Sequence, residues 1–215
     1  MRTGSFSFFL GAAWLASAST MAALTDESAA IQSSWDRINY LLEGDQQADE
    51  MSALIDSCDS VTAQQPDIAE GYIWCGIVKS TYAGMASSLS AMKYAKAARS
   101  DLERAIELEP AAMSGAAQTS LGTLYFKVPG WPIGFGDDKK ARALLLQGLE
   151  ADPDGIDSNY FYADFLFGEK DYEEASNYAH KAAAAAPRPG REAADAGRRA
   201  EIAELTAAIE KKLAR

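Results

Sequence analysis

His180 is the chain's single histidine, and Cys58 and Cys75 are its two cysteines. One imidazole cannot build a conventional zinc site unless thiolates or carboxylates converge on it. Placed between Ala179 and Lys181, His180 reads as a surface or partly packed side chain. No nucleophile elbow of the G-x-S-x-G type occurs. Asp152, Asp154 and Asp157 follow one another like oxygen ligands for calcium, but the glutamate that completes an EF-hand loop is missing. Helix capping and turn formation account for Asp154 and Asp157. The expectation is a binding protein and not an enzyme, with no metal and no cofactor. The two cysteines fit a Cys58–Cys75 disulfide if the chain reaches an oxidising compartment. The other reading makes them two small buried hydrophobes. Arg188, Arg191, Arg198 and Arg199 gather around Pro189-Gly190, either as a rim bridged to nearby glutamates or as a contact for an anion or a partner.

The segment from Lys127 to Asp137, KVPGWPIGFGD, carries the most specific pattern in the chain. Its three glycines and two prolines cannot continue a helix, so it forms a rigid loop bearing Trp131, Ile133 and Phe135. Asp137 is placed to cap the helix that follows. The glycines are not followed by Gly-Lys-Ser/Thr, which argues against phosphate binding. Two readings remain for the aromatics. They tuck back and cover a hairpin end, or they line a cavity and face a partner. The candidate binding residues are Trp131, Pro132 and Phe135 on the loop, with Tyr125, Tyr160 and Tyr162 on the flanking helices.

The elements that must hold this loop are helical. Of 215 residues, 48% are hydrophobic, and alanine and leucine outnumber the β-branched residues that lose rotamer freedom in helices. The net charge of −11 would repel a phosphate backbone, which excludes broad nucleic-acid binding. Pro66, Pro110, Pro153 and Pro187 punctuate the chain at separations of 44, 43 and 34 residues. The last equals the tetratricopeptide period, and the longer two suit the same unit with insertions. Within the units, Gly76 with Ala98, Gly122 with Ala141, and Ala163 with Ala175 and Ala179 supply the small residues that let antiparallel helices approach closely. Leu121-Gly122 and Tyr125 reproduce the L-G-x-x-Y core of that repeat.

These spacings predict an all-α, tetratricopeptide-like array of four helix hairpins. Ile31–Leu42 and Met51–Val61 form a degenerate first hairpin, and Arg191–Leu213 a C-terminal capping helix. Gly122 and Ala141 stand 19 residues apart and Gly76 and Ala98 stand 22, where the regular repeat needs about 12. The former excess falls at the loop; the latter, through Met85–Arg99, lengthens helices. In the last unit Asp171 is expected to cap the second helix, with Glu174 completing a capping box. Aromatics including Tyr72, Trp74, Tyr125 and Tyr160 concentrate on first helices, which line the concave surface of such arrays.

Residues 1–23 have the form of a signal peptide. Arg2 is followed by the apolar stretch Phe6–Ala16 and by Ala16-Ser17-Ala18, with Ala22 and Ala23 as later cleavage points. The stretch is short of the roughly 20 residues of a membrane span, and no cysteine follows it to carry a lipid. The expected product is residues 24–215 as a soluble periplasmic repeat domain without a stable membrane anchor. The loop, together with Ala151–Asp157 and Asn159–Tyr162, resembles exported tetratricopeptide proteins related to the T component of TRAP transporters. That resemblance spans about Glu70 to Ala208. It implies a helical scaffold with a ligand-accessible cavity or pore that meets a periplasmic solute-binding protein. The family's characterised trimeric lipoprotein needs a lipid-bearing cysteine, and here the chain departs from it. The sequence thus offers two functions: a protein-binding scaffold, and a binder of a small apolar ligand in an aromatic cavity near Trp131.

Overall fold

The computed structural model describes residues 16–214, so the n-region and most of the apolar stretch of the expected signal peptide lie outside the described residues. Four hairpins follow one another. They are α1 (Ala16–Leu41) with α2 (Gly44–Gln64), α3 (Ala69–Met85) with α4 (Ser88–Leu108), α5 (Ala116–Lys127) with α6 (Asp138–Ala151), and α7 (Ile156–Gly168) with α8 (Tyr172–Ala184). A last helix, α9 (Glu192–Leu213), covers the end of the stack. Among the described residues no helix is long and apolar enough to cross a membrane.

Close approach within each hairpin rests on the small residues. A Cβ on Gly76 would stand 2.5 Å from Leu102 Cγ, and one on Gly122 only 2.8 Å from Leu145 Cγ. Ala98, Ala141, Ala163, Ala175 and Ala179 are all fully buried at the same seams. The extra residues of the second hairpin lengthen helices as expected: α3 has 17 residues and α4 has 21, against 13 each for α7 and α8. Those of the third hairpin form the loop between α5 and α6. The first hairpin is longer than the sequence suggests, because the alanine- and serine-rich lead before Ile31 continues the helix.

One local expectation fails: Asp171 makes no side-chain cap. Lys170 turns left-handed at φ 67°, and the backbone closes the turn itself, with Asp171 N–H donating to the Leu166 carbonyl at 2.9 Å. Cys58 and Cys75 stand in this structure as free thiols, fully buried between α2 and α3. Hydrogen bonding to Cys58, then burial, pushes the Cys75 thiol upward.

One apolar core runs through α3 to α8 and takes in Leu205 and Ile209 of α9. A second, around Trp35, Met51, Ile55 and Trp74, joins α1, α2 and α3. Beyond these, α9 reaches back to the first helix. Tyr40 of α1 lies flat against Gly197, where any Cβ would overlap its ring. Arg191 donates through Nε and Nη2 to Asp36 at 2.9 and 2.6 Å, across 155 positions of sequence. The first and last helices therefore meet.

Candidate functional site

Between the meeting ends lies a cavity of about 560 Å³, walled by α1, α3, α5, α7 and by α9 with its approach. These are the first helices of the hairpins, as the concave-surface argument expects. Trp35, Trp74, Ile77, Leu124 and Phe161 give it apolar walls. On α5, Ala116, Thr119, Ser120, Thr123 and Lys127 face it at helical spacing, so one stripe of that helix is hydroxylated where its opposite face is core. Ser80, Thr81 and Ser158 add hydroxyls from α3 and α7. Trp35 donates its indole N–H to Thr81 at 3.0 Å, which fixes the orientation of that wall.

The charged side of the cavity is an ordered network. Arg188 donates to Asp157 at 2.5 Å and to Asp195 at 2.7 Å, and Arg198 donates to Asp157 at 2.8 Å and to Glu201. Arg198 also lies 4.5 Å from the ring centres of both Tyr160 and Phe161, and Arg191 lies 5.4 Å from that of Trp74. Burial works against charge on Asp157, yet the Arg198 and Arg188 guanidiniums hold its carboxyl below its ordinary range. Burial, then Asp157 and Asp154, pushes the neighbouring Asp152 upward. Asp157 is thus the hub of an arginine network and not a turn or capping residue. The arginine cluster of the sequence bridges chiefly to aspartates.

A second candidate surface is the loop between α5 and α6. Gly136 N–H donates to the Pro129 carbonyl at 3.0 Å, Gly134 N–H to Gly130 at 3.1 Å, and Asp137 N–H to Tyr125 at 3.1 Å. Glycine is required at 136, where a side chain would run into the Val128 carbonyl. Asp137 caps α6 as expected, accepting from the backbone N–H groups of Lys139 and Lys140 at 3.0 and 3.1 Å. Phe135 folds inward, edge-on to Tyr125 at 5.5 Å and under Arg99 at 4.5 Å. Trp131 and Ile133 point away, 90% and 75% exposed. Pro132, joined to Trp131 by a cis peptide bond, is exposed between them.

The six expected binding residues are therefore divided. Tyr125, buried, and Phe135, half-buried, pack together as a base for the loop, which leaves Trp131 and Pro132 in solvent. Tyr160 packs under Arg198, and Tyr162 is core, edge-on to Tyr178 at 4.8 Å. None of the six lines the cavity between the first helices, and Phe135 turns inward beneath the loop. His180 is exposed, its Nδ1 2.8 Å from the Ser176 carbonyl. Among the described residues no group of three or more metal-ligating side chains gathers. The residues missed are Trp35, Met113 and the hydroxyl stripe of α5. Only the stripe had a legible signal: Thr119, Ser120 and Thr123 share one face of an otherwise apolar helix.

Residues 80–111, the end of α3 and all of α4, match the sequence profile of the tetratricopeptide repeat. A thermophilic tetratricopeptide-repeat protein of Thermus thermophilus, 18% identical, superposes with a TM-score of 0.57 over 87% of this chain and 94% of that one. No curated protein matches the sequence. The fold is an all-α tetratricopeptide-repeat array, an architecture that serves generally as a scaffold for protein interaction.

Proposed function

We propose that the chain is an exported, non-enzymatic repeat scaffold that docks a protein partner through the loop between α5 and α6. The observation that carries this reading is the exposure of Trp131 and Ile133 on a loop whose backbone is already fixed by its own hydrogen bonds. A large aromatic held rigidly in water loses little conformational entropy when a partner covers it, and such side chains dominate interface energies. The partner class is a periplasmic solute-binding protein of a TRAP-type transport system. That choice rests on the likeness of the VPGWPIGFG loop to exported T-component relatives and on the export pattern of residues 1–23.

The test replaces Ile133 by a photocrosslinking amino acid, keeps Trp131, and identifies the adducts formed in living cells by mass spectrometry. A solute-binding protein as the main adduct, lost when Trp131→Ala is added, is the expected result. Adducts confined to cytoplasmic proteins, or none at all, sink the proposal. The intact mass of the recovered chain reads export directly. An exported product starts after one of Ala18, Ala22 or Ala23, and its mass falls by a further two hydrogens, about 2 Da, if Cys58 and Cys75 become bridged.

A further inference from the structure

We infer that the concave cavity is a ligand site for a small amphiphilic anion, one with an apolar body and a single carboxylate-like head. The contact of α1 with α9 deepens what an open array would present as a groove into a partly covered cavity. Its volume of about 560 Å³ is that of a small-molecule site. Trp35, Ile77, Leu124 and Phe161 provide walls for the apolar body.

The head is assigned by charge placement. Lys127, Arg188, Arg191 and Arg198 line the cavity, against only Asp152 and Asp157, in a chain of net charge −11. Asp36, Asp195 and Glu201 pair with these arginines, and Asp164 pairs with Lys127 at 2.6 Å, but none of these four carboxylates lines the space. They hold the cations from behind. Arg191 uses Nε and Nη2 on Asp36 and Arg188 uses Nε and Nη1 on Asp195 and Asp157, so each has one terminal nitrogen without a partner among the described residues. A guanidinium oriented in this way is a ready donor to a carboxylate.

A strained segment borders the same space. Met113 and Ser114, both lining residues, adopt left-handed backbone at φ 49° and 53°. Non-glycine residues hold that conformation at a cost, and such strain clusters at binding sites.

The site shares no residue with the loop between α5 and α6, so its test is independent of the scaffold proposal. In the Trp14→Phe/Trp131→Phe background, the fluorescence of Trp35 and Trp74 is titrated with decanoate, decan-1-ol and decylamine, all below their aggregation limits. Decanoate is expected to saturate the signal at one molecule per chain, at least tenfold more tightly than decan-1-ol, with no binding of decylamine. Ser120→Phe fills the cavity without touching an ion pair and should abolish binding, while circular dichroism shows the fold intact. Arg188→Gln should weaken decanoate about tenfold and leave decan-1-ol unchanged. Equal affinity for decanoate and decan-1-ol overturns the assignment of the head. No binding of decanoate, binding undiminished by Ser120→Phe, or saturation by an acidic peptide in place of decanoate overturns the site.

Discussion

At the scale of single residues, Lys79 shows how burial sets the value of a charge. Its side chain is 8% exposed and bridges Asp59 of α2 and Asp101 of α4, each at 2.7 Å. Burial alone would lower its pKa, but the two carboxylates reverse this and keep the lysine charged. Removing one member of a buried pair leaves the other uncompensated, so Lys79→Ala should cost about 3 kcal/mol. Asp59 is 62% exposed, and Asp59→Asn should cost well under about 1 kcal/mol because water screens what remains. Urea denaturation of the two variants reads the difference; equal losses would show that burial does not govern this pair. Nothing in the run Val78-Lys79-Ser80 marks the lysine as buried, since lysine in an amphipathic helix ordinarily faces water. Gly76 and Gly122 were legible for the opposite reason. Their spacing to Ala98 and Ala141 states a packing requirement that belongs to the hairpin itself.

At the scale of elements, the hairpins and their lengthening could be read from sequence, whereas the docking of α9 could not. The apolar period of α9 locates a capping helix, but its attachment depends on Asp157, thirty-odd residues away on another helix. This attachment should respond to acid in a definite order. Burial holds Glu201 and Asp152 above their ordinary values, so these take up protons first as pH falls, which favours the folded state. Asp157 is held below its ordinary range, so its contribution is complete above the unfolded value and is lost as pH falls through its folded pKa. The protection of α9 amides against hydrogen exchange, taken relative to the intrinsic rate at each pH, should therefore hold steady or rise from pH 7 to about pH 4. It should fall below that, ahead of α3 to α6. The variant Asp157→Asn should show low protection across the range. If α9 in the unmodified chain still exchanges no faster than α5 at pH 3, the arginine hub does not hold the cap.

At the scale of the molecule, a repeat array is expected to be a row of units in which each touches only its neighbours. On that expectation a substitution in α1 and one in α9 should act independently, as distant sites do. Contact between α1 and α9 breaks the rule, and no local pattern announces it. Asp36 reads as an ordinary surface charge, Arg191 as one of a basic cluster whose partner the sequence does not name, and Gly197 in fact makes room for Tyr40. Burial of that tyrosine raises its hydroxyl to about 12. Because Asp36 and Arg191 are only 9% and 15% exposed, their two-point pairing should register as coupling. Asp36→Asn and Arg191→Gln should each destabilise the chain. The double variant should lose less than the two together, by about 1 to 3 kcal/mol in a urea-denaturation cycle. The same double variant should open the cavity, raising the radius of gyration in solution scattering and weakening decanoate more than Arg188→Gln does alone. Additive losses with an unchanged radius would mean that the ends merely touch, and the concave face would then be an open groove suited to an extended segment of a partner.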